Sequence, residues 1–499
     1  MQIESYLSLG IYFLAMLGIG LFAYRHSTSD ISGYILGGRK VSPQVTALSA
    51  GASDMSGWML MGLPGAMFVS GFDALYIAIG LLVGALANYW LVAPKLRVYT
   101  EVADDSLTVP EFFAKRFGNP NAHIRMVSAA IIVLFFTLYT SAGLVAGGKL
   151  FESAFGVQYQ WGLVITLSVV VAYTLLGGFL AVSMTDFVQG CIMFVALVLV
   201  PVVAISQFQS TGEMTAAAYE SIPSLSESWG AVTTIGLFSS LAWGLGYFGQ
   251  PHIIVRFMAI RSVKSVAVAR NIGMSWMFVT IVGALGTGFV GIAYANEFGL
   301  AVDDPETIFI IFSELLFHPF ISGFLMAAIL AAIMSTISSQ LLVSASSLTE
   351  DIYRVVSKKT LDESSTVRIG RYGVAGVAIA AMVLALDASN TILSLVSNAW
   401  AGFGAAFGPL VLFCLYKKDL TANAAMAGIV SGAATVLFWI YAPILENGAT
   451  LSSVIYEIIP GFAVSTLTLW LVSAFGEAPS TEVQAMFSEA SRELANQQS

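Results

Sequence analysis

The chain has 499 residues, of which 57% are hydrophobic and only 10% charged, with a formal net charge of −9. Soluble domains carry about 25% charged residues, so the composition excludes a soluble enzyme and a globular domain on a single anchor, and it specifies a polytopic all-α membrane protein. Sidedness follows Lys and Arg more than acids, so the net charge by itself assigns no partner.

A bilayer-crossing helix needs about 20 mostly apolar residues. On that rule thirteen spans are expected, near 5–24 (span 1), 44–70 (2), 73–92 (3), 126–150 (4), 160–180 (5), 184–206 (6), 231–251 (7), 272–296 (8), 320–346 (9), 372–387 (10), 391–416 (11), 421–442 (12) and 454–475 (13). Met1–Ser5 lacks a basic segment and span 1 is long enough to cross, so no cleavable signal peptide is expected. With the N-terminus outside, 20 of the 21 Lys and Arg residues fall in inward loops, Arg256 among them, and only Lys149 lies outside. That partition supports the count, an outer N-terminus and a cytoplasmic C-terminus.

Span 2 is interrupted by Ala52-Ser53-Asp54-Met55-Ser56-Gly57-Trp58. An acid inside a bilayer costs about 2.5–3.5 kcal/mol on insertion scales and marks an ion or substrate path. Unwound backbone is tolerated at that depth where it is buried or lines a cavity, and a broken helix beside an acid is how many secondary transporters build a midplane site. Span 4 carries Gly143-Leu144-Val145-Ala146-Gly147-Gly148-Lys149-Leu150, most of a phosphate-binding loop. It lacks the closing Ser/Thr and follows a helix instead of a strand, so Gly143 and Gly147 read as a small-residue packing face. Asp186, near the inner start of span 6, suits either a cytoplasmic vestibule or a helix N-cap at the membrane surface.

Span 7 places Gly244, Gly246, Gly249 and Pro251 within eight residues, the composition of a second broken helix. Pairing it with span 2 gives two five-helix repeats, spans 2–6 and 7–11, with spans 1, 12 and 13 peripheral. In span 9, Ala331-Ala332-Ile333-Met334-Ser335-Thr336 sets a carbonyl and two hydroxyls on one helix face. With the carbonyls of Ala52 and Met55 they make about five neutral oxygens, a set suited to a small hard cation such as Na⁺. The alternative is that both hydroxyls bond back to their own helix. Trp58, Tyr139, Trp243 and Tyr247 suit a small apolar ring or a cation, or the membrane interface.

Cys191 and Cys414 both lie in apolar runs, which argues against a disulfide framework, and the four histidines show no metal-ligand spacing. The chain beyond Glu477 fits one short helix after Pro479, too little for an ATPase or kinase domain. The expected organisation is one transporter domain over 1–475, with a core of spans 2–11 at about 44–416, and a short cytoplasmic tail, 476–499.

Four stretches resemble the sodium/solute symporter family: Gly51 to Trp58, Gly177 to Asp186, Phe248 to Phe257 and Ala331 to Thr336. The first and third are closest to its proline-transporting branch. The resemblance implies a leucine-transporter-like 5+5 inverted-repeat core, alternating access and sodium-coupled uptake of L-proline. It implies that Ala52, Met55, Ala332, Ser335 and Thr336 hold sodium and that Asp54 supports its binding. Asp186 would lie on the inward sodium route, and Arg39 at the cytoplasmic mouth would influence coupling. Proline would contact Ser56, Gly57, Trp58, Tyr139, Trp243, Tyr247 and Pro251. The expected partners are L-proline, Na⁺ and the lipid bilayer of a bacterial inner (cytoplasmic) membrane, with no enzyme activity, cofactor, nucleic acid or obligate protein partner. The alternatives are a sodium symporter for another small amino acid or a carboxylate, and a substrate-gated channel or membrane sensor.

Overall fold

The computed structural model describes residues 3–26, 31–118, 122–221, 233–357, 363–387, 391–446 and 448–498. Apart from one isolated β-bridge, the regular structure among them is helical. Nine of the described helices are long and apolar enough to cross a membrane. Large apolar side chains such as Leu14, Val83, Phe278, Ile379 and Trp470 face outward. In water such faces mark interaction surfaces or aggregation hazards; in a bilayer they meet their natural solvent.

Span 1 is the helix Ile3–His26. Span 2 forms in two pieces. Pro43–Asp54 begins with proline at its first position and Ser42 as N-cap, the hydroxyl accepting from the Val45 amide at 3.3 Å. The regular pattern stops at Met55, and the chain resumes as a wide π turn, Trp58–Gly62, running into Leu63–Ser70. Asp, Ser and Gly in the Ser53–Gly57 stretch are weak helix formers, which locates the break. Span 3 is Asp73–Leu91. The segment after it, expected to be a loop, contains the helices Ala93–Val102 and Val109–Lys115, the second capped by the Thr108 hydroxyl. Span 4 is Ala122–Phe155.

Spans 5 and 6 form one helical run, Tyr159–Ile205, bent at Gly178 with φ 60° and ψ −163°. That conformation is essentially restricted to glycine, and Tyr34 packs so closely that an added Cβ would lie 2.7 Å from its ring. Span 7 differs from the sequence reading. Its first piece, Thr234–Leu241, passes into a 3₁₀ segment, Ala242–Gly249, and a second helix, Pro251–Ala259, follows. Pro251 does not end the span; it opens the second half, where its missing amide proton costs nothing. The segments expected as spans 8 to 13 form the helices Val263–Phe298, Pro319–Ser346, Glu363–Leu384, Ile392–Tyr416, Ala422–Tyr441 and Ile458–Phe475.

Glycines set the closest crossings. A Cβ on Gly84 of span 3 would lie 2.2 Å from the Gly244 carbonyl oxygen of span 7, so these backbones touch directly. Gly143 and Gly147 pack on Ile337 and Thr166, which leaves no cradle for a phosphate. The tail helix Thr481–Gln498 docks back on the domain, with Phe487 edge-on to Tyr99 at 6.1 Å and Arg116 5.4 Å from the Phe487 ring.

Candidate functional site

The break in span 2 faces span 9. Ser335 Oγ donates to the Ala52 carbonyl at 2.8 Å and lies 3.1 Å from the Ala332 carbonyl. Thr336 Oγ1 is 3.4 Å from the Ala52 carbonyl and accepts the Ser56 amide at 3.1 Å. The two hydroxyls therefore reach across to span 2 instead of only capping their own helix. Four of the five expected oxygens, those of Ala52, Ala332, Ser335 and Thr336, form one connected, buried cluster. The Met55 carbonyl accepts the Met59 amide at 3.3 Å and keeps a second lone pair. This donor set, neutral and oxygen-only, fits a hard monovalent cation.

On the other side of the same turn stands a carboxylate. Asp54 is buried, and its Oδ2 accepts the Tyr247 hydroxyl at 2.5 Å, linking the breaks of spans 2 and 7. The Asp54 carbonyl lies 3.4 Å from both the Tyr139 hydroxyl and the Trp58 indole nitrogen. Trp58 and Trp243 approach with ring centres 6.4 Å apart, so the four expected aromatics converge around the Asp54 turn. Ser56 Oγ accepts the Trp58 amide at 3.4 Å. Gly57 is a packing glycine as well: a Cβ there would lie 2.7 Å from Ala146. Pro251 is buried at the start of the second half of span 7.

Sequence reasoning missed the supports of this wall. Tyr456 of the segment before span 13 stacks on Trp243 at 5.3 Å, and Trp400 of span 11 donates to the Trp243 carbonyl at 2.8 Å. Gln250 donates to the carbonyls of Gly246 and Trp400, splinting the 3₁₀ segment. Gln250, a polar residue between a glycine and a proline in an apolar run, was the available signal.

Asp186 and Arg256 require corrections. Asp186 is not an N-cap: it lies eight residues past the Gly178 bend, inside the helix and fully buried. Arg256, assigned to an inward loop, lies in the helix Pro251–Ala259, also buried. Arg256 Nη2 pairs with Asp186 Oδ2 at 3.1 Å. Ser49 donates to the same carboxylate oxygen at 2.8 Å, and Arg256 reaches Ser49, Ser339 and the His252 carbonyl. Ser49 and Ser339 are one helical turn from Ala52 and Thr336, so this knot sits directly beside the oxygen cluster on the side toward Arg39. Arg39 itself, buried with φ 54°, binds Asp105 at 2.7 Å, Thr100 at 2.9 Å and the carbonyls of Met258 and Ser106. Next to it, the Val41 amide donates to Ala259 and the Arg261 amide donates to Val41, joining the ends of the two broken helices.

Two broken helices meeting at a buried acid, with an oxygen cluster on one side and aromatics on the other, define a transporter of the broken-helix class. The chain belongs to the Sodium:solute symporter family, whose model matches residues 34–432. It is 55% identical over 490 residues to the Osmoregulated proline transporter OpuE of Bacillus subtilis (strain 168), covering 98% of each chain. It is 50% identical to Sodium/proline symporter 2 of Staphylococcus saprophyticus, over 96% of this chain and 94% of that one. A Na⁺-coupled sialic acid symporter, solved substrate-bound and outward-open, shares the fold with a TM-score of 0.79 at 19% identity, covering 96% of this chain and 98% of its own.

Proposed function

We propose that this chain is a secondary active transporter that takes up L-proline together with Na⁺ by alternating access. The observation that carries the coupling is that one short stretch, Ala52–Trp58, helical up to Asp54 and broken at Met55, serves both sides: its Ala52 carbonyl belongs to the oxygen cluster, while Trp58 and the Asp54 carbonyl belong to the aromatic wall. The choice of proline is supported by the names of relatives at 55% and 50% identity.

Sodium is held by Ala52, Met55, Ala332, Ser335 and Thr336, with Asp54 supplying the balancing charge nearby. Proline lies against Ser56, Gly57, Trp58, Tyr139, Trp243, Tyr247 and Pro251, its ring on the aromatic faces. Because both ligands order the same stretch, each raises the affinity of the other by the same factor. Asp186 lies on the sodium route toward the cytoplasm, and Arg39 with the Val41–Ile260 bridge closes the inner mouth. Inward opening breaks the Arg39 contacts to the span 3–4 segment. Ten of the thirteen spans, 2–11, form an inverted 5+5 core at about 44–416, with an outer N-terminus and a cytoplasmic tail, in a bacterial inner membrane. A zwitterionic substrate adds no net charge, so one sodium carries one charge, worth about 2.3 kcal/mol per 100 mV.

Labelled L-proline uptake into proteoliposomes tests this. Accumulation against a gradient only with inward sodium, increasing with an inside-negative potential, is expected. Equal uptake with potassium replacing sodium refutes the coupling, and sodium-driven accumulation of another solute without proline refutes the substrate.

A further inference from the structure

Span 3 carries one amide in an otherwise apolar stretch, Asn88. Its side chain is buried, and neither amide atom has a hydrogen-bond partner within the protein. Burying an unpaired amide costs several kcal/mol, so buried polar groups almost always have a partner. Asn88 lines a cavity of about 30 Å³ between spans 2, 3, 7 and 8, and the other polar side chains that line it are Asp54, Tyr89 and Tyr247. Asp54, which lines the same cavity, also carries an unpaired atom: its Oδ2 is taken by Tyr247, while its buried Oδ1 has no partner. About 10–15 Å³ and two to four polar partners suffice for one water, so this chamber suits a water and is far too small for an amino acid.

We propose that Asp54 and Asn88 hold one ordered water molecule between them, and that Asn88 is thereby a positioning residue for the sodium site. The proposal rests on the sodium-coupled reading above. An amide suits the role because it both donates and accepts, leaving the water a proton to give to Asp54 Oδ1. One carboxylate oxygen is then fixed from span 7 by Tyr247 and the other from span 3 through the water. With both oxygens fixed the carboxylate cannot rotate. The carbonyls of Ala52 and Met55, two residues before it and one after, keep their direction toward Ser335 and Thr336. Without the water, Oδ1 competes for the Tyr139 and Trp58 donors that now point at the Asp54 carbonyl, and the turn shifts.

The test is proline uptake by the reconstituted full-length protein, with half-saturating sodium and half-saturating proline measured separately. Asn88→Leu keeps the branched shape, removes both polar groups and fills space with its larger methyl groups. It is expected to raise half-saturating sodium about tenfold, the low end for partners that orient metal ligands, while half-saturating proline at saturating sodium stays near the parent value. Asn88→Ser, which keeps a polar group and leaves room for water, is expected to restore most of the sodium affinity. Ala85→Val, which pushes methyl groups into the same chamber with Asn88 intact, is expected to reproduce the sodium defect, and it decides the matter where Asn88→Leu fails to fold. No sodium shift, or equal shifts for both ligands, overturns the proposal. Thr336→Ala measured alongside keeps the two readings apart. A sodium shift in Thr336→Ala without one in Asn88→Leu removes the water alone, and the reverse removes Thr336 as a ligand while leaving Asn88 in place.

Discussion

The Asp186–Arg256 pair allows a quantitative test of how the inner half of the site is held. At 3.1 Å, two unit charges attract by about 5 kcal/mol at an effective dielectric constant of about 20. Both groups have also left water, and that desolvation cancels much of the gain. The asymmetry lies in the single variants. Asp186→Leu leaves a buried guanidinium facing only Ser49, Ser339, the His252 carbonyl and the Phe179 ring 5.4 Å away. Arg256→Met leaves a buried carboxylate with two serine hydroxyls. Each is expected to lose about 3–5 kcal/mol, whereas replacing both members of such a pair by apolar residues is often neutral or stabilising. The double variant should therefore be at least as stable as the better single one. The assay is a double-mutant cycle on purified protein, unfolded by SDS titration and followed by tryptophan fluorescence. A double variant that loses the sum of the two single losses would refute the pairing as the source of stability.

Two further outcomes follow from packing and from the aromatic wall. Gly84→Ala sets a methyl group 2.2 Å from the Gly244 carbonyl oxygen. Overpacking ordinarily costs about 1–3 kcal/mol, so a lower melting temperature is expected, and weaker proline affinity with it, because Gly244 adjoins Trp243; an unchanged melting temperature would show that spans 3 and 7 can separate freely. Trp243→Ala removes the ring that touches both Trp58 and Tyr456 and should raise half-saturating proline about tenfold or more, typical of a buried aromatic anchor worth about 2 kcal/mol. Half-saturating sodium should move far less, and an equal rise in both would place Trp243 outside the substrate contact.

The breaks were legible because they contradict their surroundings: Asp54, Ser56 and Gly57 inside an apolar run, and three glycines before Pro251, announce irregular backbone at a depth where it is expensive. The oxygen cluster was legible for a related reason, since Ser335 and Thr336 share a helix face with Ala332. Arg256 was not, because a cation at the edge of an apolar stretch looks like a loop charge until its partner is known, and the partner lies 70 residues away in sequence. Asp186 was misplaced through the same ignorance: its environment is made by Ser49, Arg256 and Ser339, from three other spans. The second half of span 7 was lost because proline reads as a terminator, while at the first position of a helix it is a starter. Asn88 escaped notice because one amide in span 3 has no meaning without the chamber it faces.

The join between Val41 and the Ala259–Arg261 segment is made by backbone groups alone. Side-chain drift at these positions cannot erase it, since any residue with an amide proton preserves both hydrogen bonds. Proline at position 41 or 261 is the single coded replacement that deletes a donor. The yoke between the two half-helices is thus shielded from most point mutation, so natural variation can tune the pocket above it without uncoupling the pair, and a designer wishing to free one half-helix from the other has proline as the tool.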